Sequence, residues 1–425
     1  MITVLRNAQL FAPQERGLVS MLVGGQRILW IGADDGLPLS RTCDDGDVAE
    51  HDLGGARVIP GLIDGHAHIT GGGGEAGAET RVPAPLLSAY TRAGVTSVVG
   101  MLGTDGETRT MGEVLARVRA LRAEGLSAWC LTGGYHLPPA TLTGSVRGDL
   151  THIDSILGLG ELALSDFRSS QPTLDELLRL AADVQVGAML AGKAGLLHLH
   201  LGDGPRGLDL LRAALDTSEL PARLFQPTHV NRRPQLFEEA LCLARRGCTI
   251  DISAFPVEQG DGCLSAAQAV ARCLDADLPP GSFTVSSDGG GCLPTFSDAG
   301  RLLVMEVGDA LGLLATIAEL LESGRAPEAV LPAFTSSPAD LLGLTSKGRL
   351  LPGGDADLIV LDENAGARHV MARGEWHVFD GAVRKRGRFE ATPDSGEDCP
   401  QHGHLSGSAS DPPQQSTPST QPNLQ

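Results

Sequence analysis

The segment GLIDGHAHITGGGGEAG holds His66 and His68 two residues apart. In an extended strand, residues two apart point to the same face, so both imidazoles would look the same way with Ala67 turned from them. Two such rings can chelate a borderline-soft cation such as zinc, although a lone His-x-His also fits a pair of buried structural histidines. Three more donors sit in comparable places. LLHLHLGDG ends an apolar run with His200, FQPTHVNR carries His229, and TVSSDGGG carries Asp288. His198, two before His200, falls on the same face one layer deeper and reads as a core or supporting histidine.

These donors need elements to hold them. Eight apolar runs, VIPGLIDGHAHI, VTSVVGML, SAWCLTG, LGELALS, AGLLHLHLG, RLFQPTHV, CTIDISAF and FTVSSDG, alternate with helical stretches such as TMGEVLARVRALRAEG and TLDELLRLAADVQVGAMLAG. Their spacing of roughly 30 residues is that of a βα unit. Eight such units predict a (β/α)8 barrel, whose active sites lie at the C-terminal ends of its strands. An open doubly wound sheet has the same spacing. The five donors fall at the predicted ends of four strands.

The first stretch (ITVLRNAQLF, LVSMLVGG, RILWIG) and a late one (DADLIVLD, ARHVMARGEW, VFDGAVRKRGRFE) alternate apolar and polar residues like short antiparallel strands. The expected organisation is a small β-sandwich built from 1–57 and 347–390, with the barrel from 58–346 inserted between. Residues 391–425, rich in Ser, Pro, Gln and Gly, cannot bury enough apolar surface to order themselves and are expected to be disordered. His402 and His404 in that tail have nothing nearby to hold them.

Hydrophobic residues make up 42% of the 425 and charged residues 20%, ordinary for a chain with a sizeable core. With 52 acidic against 33 basic residues, the net charge of −19 repels phosphate backbones and argues against a nucleic-acid partner. No run of 18 apolar residues is present, so no membrane span is expected, and the N-terminus is unlike a signal peptide. The eight cysteines include no CxxC pair and read as reduced thiols of a cytoplasmic protein.

With its strand-1 His-x-His, later strand-end histidines and final strand-end Asp, the chain resembles the amidohydrolase superfamily. More closely, GHAHITGGGGEAG, TGGYH, SDFRSSQP, LHLGD, PTHVNR and SSDGGG resemble the isoaspartyl (β-aspartyl) dipeptidases, from residue 1 to about 390. That resemblance implies two zinc ions sharing a hydroxide, with His66, His68 and Asp288 on one, His200 and His229 on the other. It further implies a bridging carboxylated lysine. Here Glu161 takes that place, a carboxylate on a shorter arm that bridges only if the backbone moves inward or the metals shift. Lys193 cannot substitute, because it precedes His200 by seven residues, about 23 Å of extended strand.

The implied reaction is hydrolysis of the β-aspartyl amide bond by a zinc-activated hydroxide, with Asp288 as general acid/base. An isoaspartyl dipeptide keeps a free α-amine and two carboxylates. Glu75, on a glycine loop expected to be mobile, is the implied amine partner, and Arg168 and Arg232 suit the carboxylates. Tyr135 would donate to the reacting carbonyl oxygen, and Thr104 would contact substrate. Cys292, whose thiol is a weaker donor and acceptor than a hydroxyl, stands where the family has a serine. The resemblance also implies a homo-oligomer. Two other readings stay open: another amidohydrolase acting on cyclic amides or N-acyl amino acids, and a barrel that lost catalysis and serves as a scaffold.

Overall fold

A computed structural model describes residues 2–38, 48–257, 262–296 and 302–391, without the side chains of 294–296 and 302–303. The eight apolar runs form strands β1 (Leu62–Ala67), β2 (Val95–Gly100), β3 (Ser127–Thr132), β4 (Ile156–Leu164), β5 (Leu197–Leu201), β6 (Phe225–Thr228), β7 (Ile250–Ser253) and β8 (Phe283–Ser286). Strands β1 to β6 pair in parallel in chain order, and β7 pairs in parallel with β8. Beyond β8 the chain returns to β1. Ala67 bridges Gly289 in parallel, Asp288 N–H donates to His66 O at 3.1 Å, and His68 N–H donates to Gly289 O at 2.8 Å. The parallel sheet is therefore curled in the manner of a TIM barrel. Its strands are nearly continuous apolar runs because both faces are covered: all six residues of β2 and all nine of β4 are buried.

Helices follow most strands and supply the outer cover. Leu174–Ala191 starts at a capping box in which Thr173 and Glu176 satisfy each other's backbone N–H groups, and it stops at Gly192 in the left-handed region. Leu177, Ala181, Val184 and Ala188, spaced by three and four, form its buried stripe.

One irregularity matters for the site. Leu197 of β5 pairs with Leu159 of β4, yet Leu199 pairs with Leu162. Three steps along β4 thus match two along β5, so β4 carries a bulge at Gly160–Glu161. Bulges re-aim side chains, and this one turns Glu161 into the barrel. Gly160 is required there, since a Cβ on it would lie 2.6 Å from His198 Cβ.

The strands at the two ends of the chain share one nine-stranded sheet. Leu358–Leu361 pairs antiparallel with Arg57–Pro60, joining the late strands Ala367–Ala372, Glu375–Phe379 and Ala382–Val383 to the early ones. Leu5, Leu10, Met21, Val23, Ile28, Leu358, Val360 and Met371 build its own core. Val48–Asp52, which pairs in parallel with Ile2–Phe11, and an antiparallel hairpin Cys292–Phe296/Leu302–Val307 were not expected from the sequence. No helix among the described residues is long and apolar enough to cross a membrane. The tail from residue 392, with His402, His404 and Cys399, and also Cys43, lies outside the described residues.

Candidate metal centre

His66, His68, Glu161, His200, His229 and Asp288 converge at the C-terminal mouth of the curled sheet, all with at most 7% exposure. Strand β1 presents His66 near its end with His68 just beyond, β5 presents His200, and the turns after β6 and β8 present His229 and Asp288. His229 (φ 58°) and Asp288 (φ 53°) hold left-handed backbone conformations. For non-glycine residues this costs free energy and is found where a site over-determines the backbone.

Glu161 lies between two groups of imidazoles. Its Oε1 is 3.5 Å from His66 Nε2 and 3.4 Å from His68 Nε2; its Oε2 is 3.1 Å from His200 Nδ1 and 3.5 Å from His229 Nε2. Asp288 Oδ1 is 3.5 Å from His66 Nε2 and 3.2 Å from His68 Nε2. His66, His68 and Asp288, and likewise His66, Glu161 and His229, place one donor atom each within 4.8 Å of one another, close enough to share a cation.

The donor atoms test whether a cation fits. His66 Nε2, Glu161 Oε1 and Asp288 Oδ1 are buried with no hydrogen-bond partner among the described residues. Buried polar atoms are rarely left so, because desolvation without a partner is costly. Two carboxylate oxygens and an imidazole nitrogen aimed at common space fit a divalent metal, and the mixed N/O set suits zinc.

Electrostatics agree. Burial pushes the Glu161 and Asp288 carboxyls upward, but the surrounding imidazoles outweigh it and hold both below the usual carboxylate range. Burial likewise opposes charge on His68, yet Asp288 and Glu161 carry it up to about 10. His229 is driven down to about 3, chiefly by burial. The pocket attracts positive charge.

Around this cluster, Tyr135 Oη lies 2.8 Å from His200 Nδ1, while His200 Nε2 is 2.9 Å from Asp166 Oδ2. Both ring nitrogens of His200 therefore have protein partners. Asp166 also receives Arg168 through Nε at 3.0 Å and Nη2 at 2.7 Å. Arg168 Nη1 reaches Glu75 Oε1 at 3.3 Å, and Thr104 Oγ1 donates to the same oxygen at 2.9 Å. Glu75, Thr104, Arg168 and Tyr135 form one connected rim, in which Thr104 orients Glu75. Arg232, three residues past His229, pairs with Asp203 at 3.4 Å. Half-buried Cys292 lies against the glycine loop, its Cβ 3.4 Å from where a Cβ on Gly73 would stand.

The glycine loop is pinned. Arg109, 5% exposed, donates to the carbonyls of Thr70, Gly72 (3.0 Å) and Val82 (2.9 Å). Gly71 N–H donates to His68 O and Gly72 N–H to Gly290 O, both at 2.8 Å. Gly71 (φ 80°) admits no side chain, since a Cβ would sit 1.9 Å from Val82 O. Lys193 is far from the donors in its contacts: its Nζ donates to the carbonyls of Leu150, Ile153 and Ile156. The residue that motif reading passed over is Asp166, two before Arg168, whose carboxylate ties that arginine to His200.

No family model matches the chain. A β-aspartyl dipeptidase from Fervidobacterium islandicum AW-1, solved in complex with β-Asp-Leu, is 39% identical, with 90% of this chain and 99% of that chain covered and a TM-score of 0.83. A dihydropyrimidinase from Brevibacillus agri NCHU1002, 15% identical with 91% and 97% covered and a TM-score of 0.62, shares the fold. Among curated relatives, an imidazolonepropionase from Paracoccus denitrificans is 26% identical over 388 residues, 84% of this chain and 93% of that protein. Identity of 39% over nearly the whole length of a solved dipeptidase, on a curled parallel sheet with buried His, Glu and Asp at its mouth, settles the kinship: the chain belongs to the β-aspartyl dipeptidase family of the amidohydrolase superfamily.

Proposed function

We propose that the protein is a metal-dependent hydrolase that cleaves the β-aspartyl amide bond of isoaspartyl dipeptides. Supporting this is Glu161, one oxygen facing His66 and His68 and the other facing His200 and His229, in a chain 39% identical to a dipeptidase solved with β-Asp-Leu. In this reading His66, His68, Glu161, His229 and Asp288 would hold two zinc ions, and His200 would join them by giving up Tyr135 or Asp166, which take both of its ring nitrogens here. When bound, such ions supply Lewis acidity, making water acidic enough to react near neutral pH and polarising the amide carbonyl.

The Asp288 carboxyl is held below the usual carboxylate range, and its Oδ1 faces the cluster 3.2 Å from His68 Nε2. It accepts the proton of the attacking water and passes it to the leaving amine. Tyr135, whose hydroxyl burial holds in its protonated form, donates to the carbonyl oxygen as negative charge develops. Glu75, oriented by Thr104, receives the substrate ammonium, while Arg168 and Arg232 take its carboxylates and Cys292 contacts substrate beside the glycine loop. Arg168 and Glu75 face each other at 3.3 Å, which suits a zwitterion whose two charges engage both.

We further read residues 58–346 as the barrel and 1–57 with 347–390 as a two-layered sandwich, supported by the separate core at Leu10, Met21 and Val360. A cytoplasmic homo-oligomer is proposed on the free thiols of Cys130, Cys242, Cys248 and Cys273 and on the family resemblance.

Rates on β-Asp-Leu, α-Asp-Leu and a cyclic diamide test the reading. Cleavage of β-Asp-Leu alone is expected. The match to an imidazolonepropionase favours a cyclic amide as the second reading, and turnover of the diamide without the dipeptide would establish it.

A further inference from the structure

One layer below the metal centre, a line of hydrogen bonds joins His66 to residues that the proposed reaction does not use. His66 Nδ1 is 2.9 Å from His198 Nε2, and His198 Nδ1 is 2.8 Å from Gln226 Oε1. Gln226 Nε2 donates to Thr284 Oγ1 at 2.9 Å, and Thr284 Oγ1 donates to Asp251 Oδ1 at 2.5 Å. Thr228 and Ser286 donate to the other carboxylate oxygen at 2.7 and 2.6 Å. Every residue in the line is buried, none more than 4% exposed.

The direction of each bond follows from what each group can give. A carboxylate receiving three hydroxyls only accepts. Thr284 spends its single proton on Asp251, so it must accept from Gln226, which fixes the amide with Oε1 toward His198. His198 Nδ1 then carries a proton, and its Nε2 is a bare acceptor. His66 Nδ1 must therefore be the protonated nitrogen, and His66 Nε2 is left with a free lone pair. That nitrogen is the one 3.5 Å from both Glu161 Oε1 and Asp288 Oδ1. With the amide reversed, His66 Nε2 would carry the proton instead and be no ligand. His66, His198 and Asp251 also bring donor atoms together, but both nitrogens of His198 are taken by His66 and Gln226.

We propose that the line His198–Gln226–Thr284, anchored on Asp251, sets the tautomer of His66 and keeps its Nε2 lone pair presented to the metal. These are positioning residues, and the inference rests on reading the cluster above as a metal centre. The test is zinc affinity of the full chain, measured by competition with a chromogenic chelator. Thr284→Val removes the link between Gln226 and Asp251 and should weaken zinc binding about 10-fold, as the loss of an outer hydrogen-bond partner does elsewhere. Thr284→Ser, which keeps the hydroxyl, should restore affinity to near wild type. Gln226→Met cuts the same line nearer the metal, so the double variant should bind no more weakly than the worse single one. Gln226→Met also carries the test alone if Thr284→Val is not recovered folded. Wild-type affinity in the Val and Met variants, equal loss in the Ser variant, or lowered thermal stability of the metal-free protein with unchanged zinc affinity each overturns the relay. Wild type that holds no zinc would overturn the metal-centre reading and the relay with it.

Discussion

Replacing Glu161 by Gln keeps its size and removes one charge from a site where that charge faces imidazoles on both sides. A cation held at the 3.5 Å that separates Glu161 Oε1 from His66 Nε2 would interact with the carboxylate by about 5 kcal/mol per unit charge at an effective dielectric of about 20. The amide carbonyl remains a neutral ligand, and the variant no longer bears the desolvation of a buried carboxylate. Taking about half of that energy, roughly 2–3 kcal/mol, metal affinity should fall about 30- to 150-fold. The metal-free variant should be less stable than metal-free wild type, because the imidazoles that hold Glu161 below the usual carboxylate range lose their charged partner. Chelator competition, elemental analysis of metal per chain and thermal unfolding of the chelated proteins read these quantities. Wild-type stoichiometry with an affinity within about threefold would refute the argument that Glu161 is a shared carboxylate ligand.

Other expectations follow from the rim and the terminal sheet. Tyr135→Phe should lower kcat about 10²- to 10³-fold with metal content unchanged; a change in KM alone would argue against a role at the carbonyl oxygen. Glu75→Gln should lower kcat/KM for β-Asp-Leu about 10- to 100-fold, as expected for losing a charged hydrogen-bond partner, and an N-acetylated substrate should narrow the difference from wild type. In the terminal sheet, burial, aided by Lys385, drives His377 down to about 4, and neither ring nitrogen has a hydrogen-bond partner among the described residues. An unfolded histidine titrates near 6.5, so between about pH 4 and 6.5 the unfolded chain binds the extra proton. This stability is complete above pH 6.5 and is lost as pH falls to 4, by about 3 kcal/mol. Urea unfolding of wild type and His377→Leu at pH 7.5 and 4.5 checks it; equal losses would refute it.

The barrel strands were legible because each is an apolar run in a chain of regular period, and His66 and His68 because period two puts both on one face. His200, His229 and Asp288 could be placed because strand ends are easy to locate. How Glu161 reaches its neighbours could not be read, since the β4 bulge is a matter of register against β5 that no local pattern encodes. The glycine loop looked free for a similar reason: the side chain that pins it, Arg109, is 39 residues from Thr70. His198 was visible only as a supporting residue. Its partners Gln226, Thr284 and Asp251 are 28 or more residues apart at each link, so the line exists only once the sheet has curled. Asp166 was within a quoted motif but carries no sign, in sequence, of which way its carboxylate points.

The most direct measurement is β-Asp-Leu hydrolysis by protein stripped of metal and then titrated with zinc. Turnover should be absent in the stripped protein and rise with added zinc until the six-residue cluster is filled. Full turnover by metal-free protein, or none with zinc bound, would contradict the account.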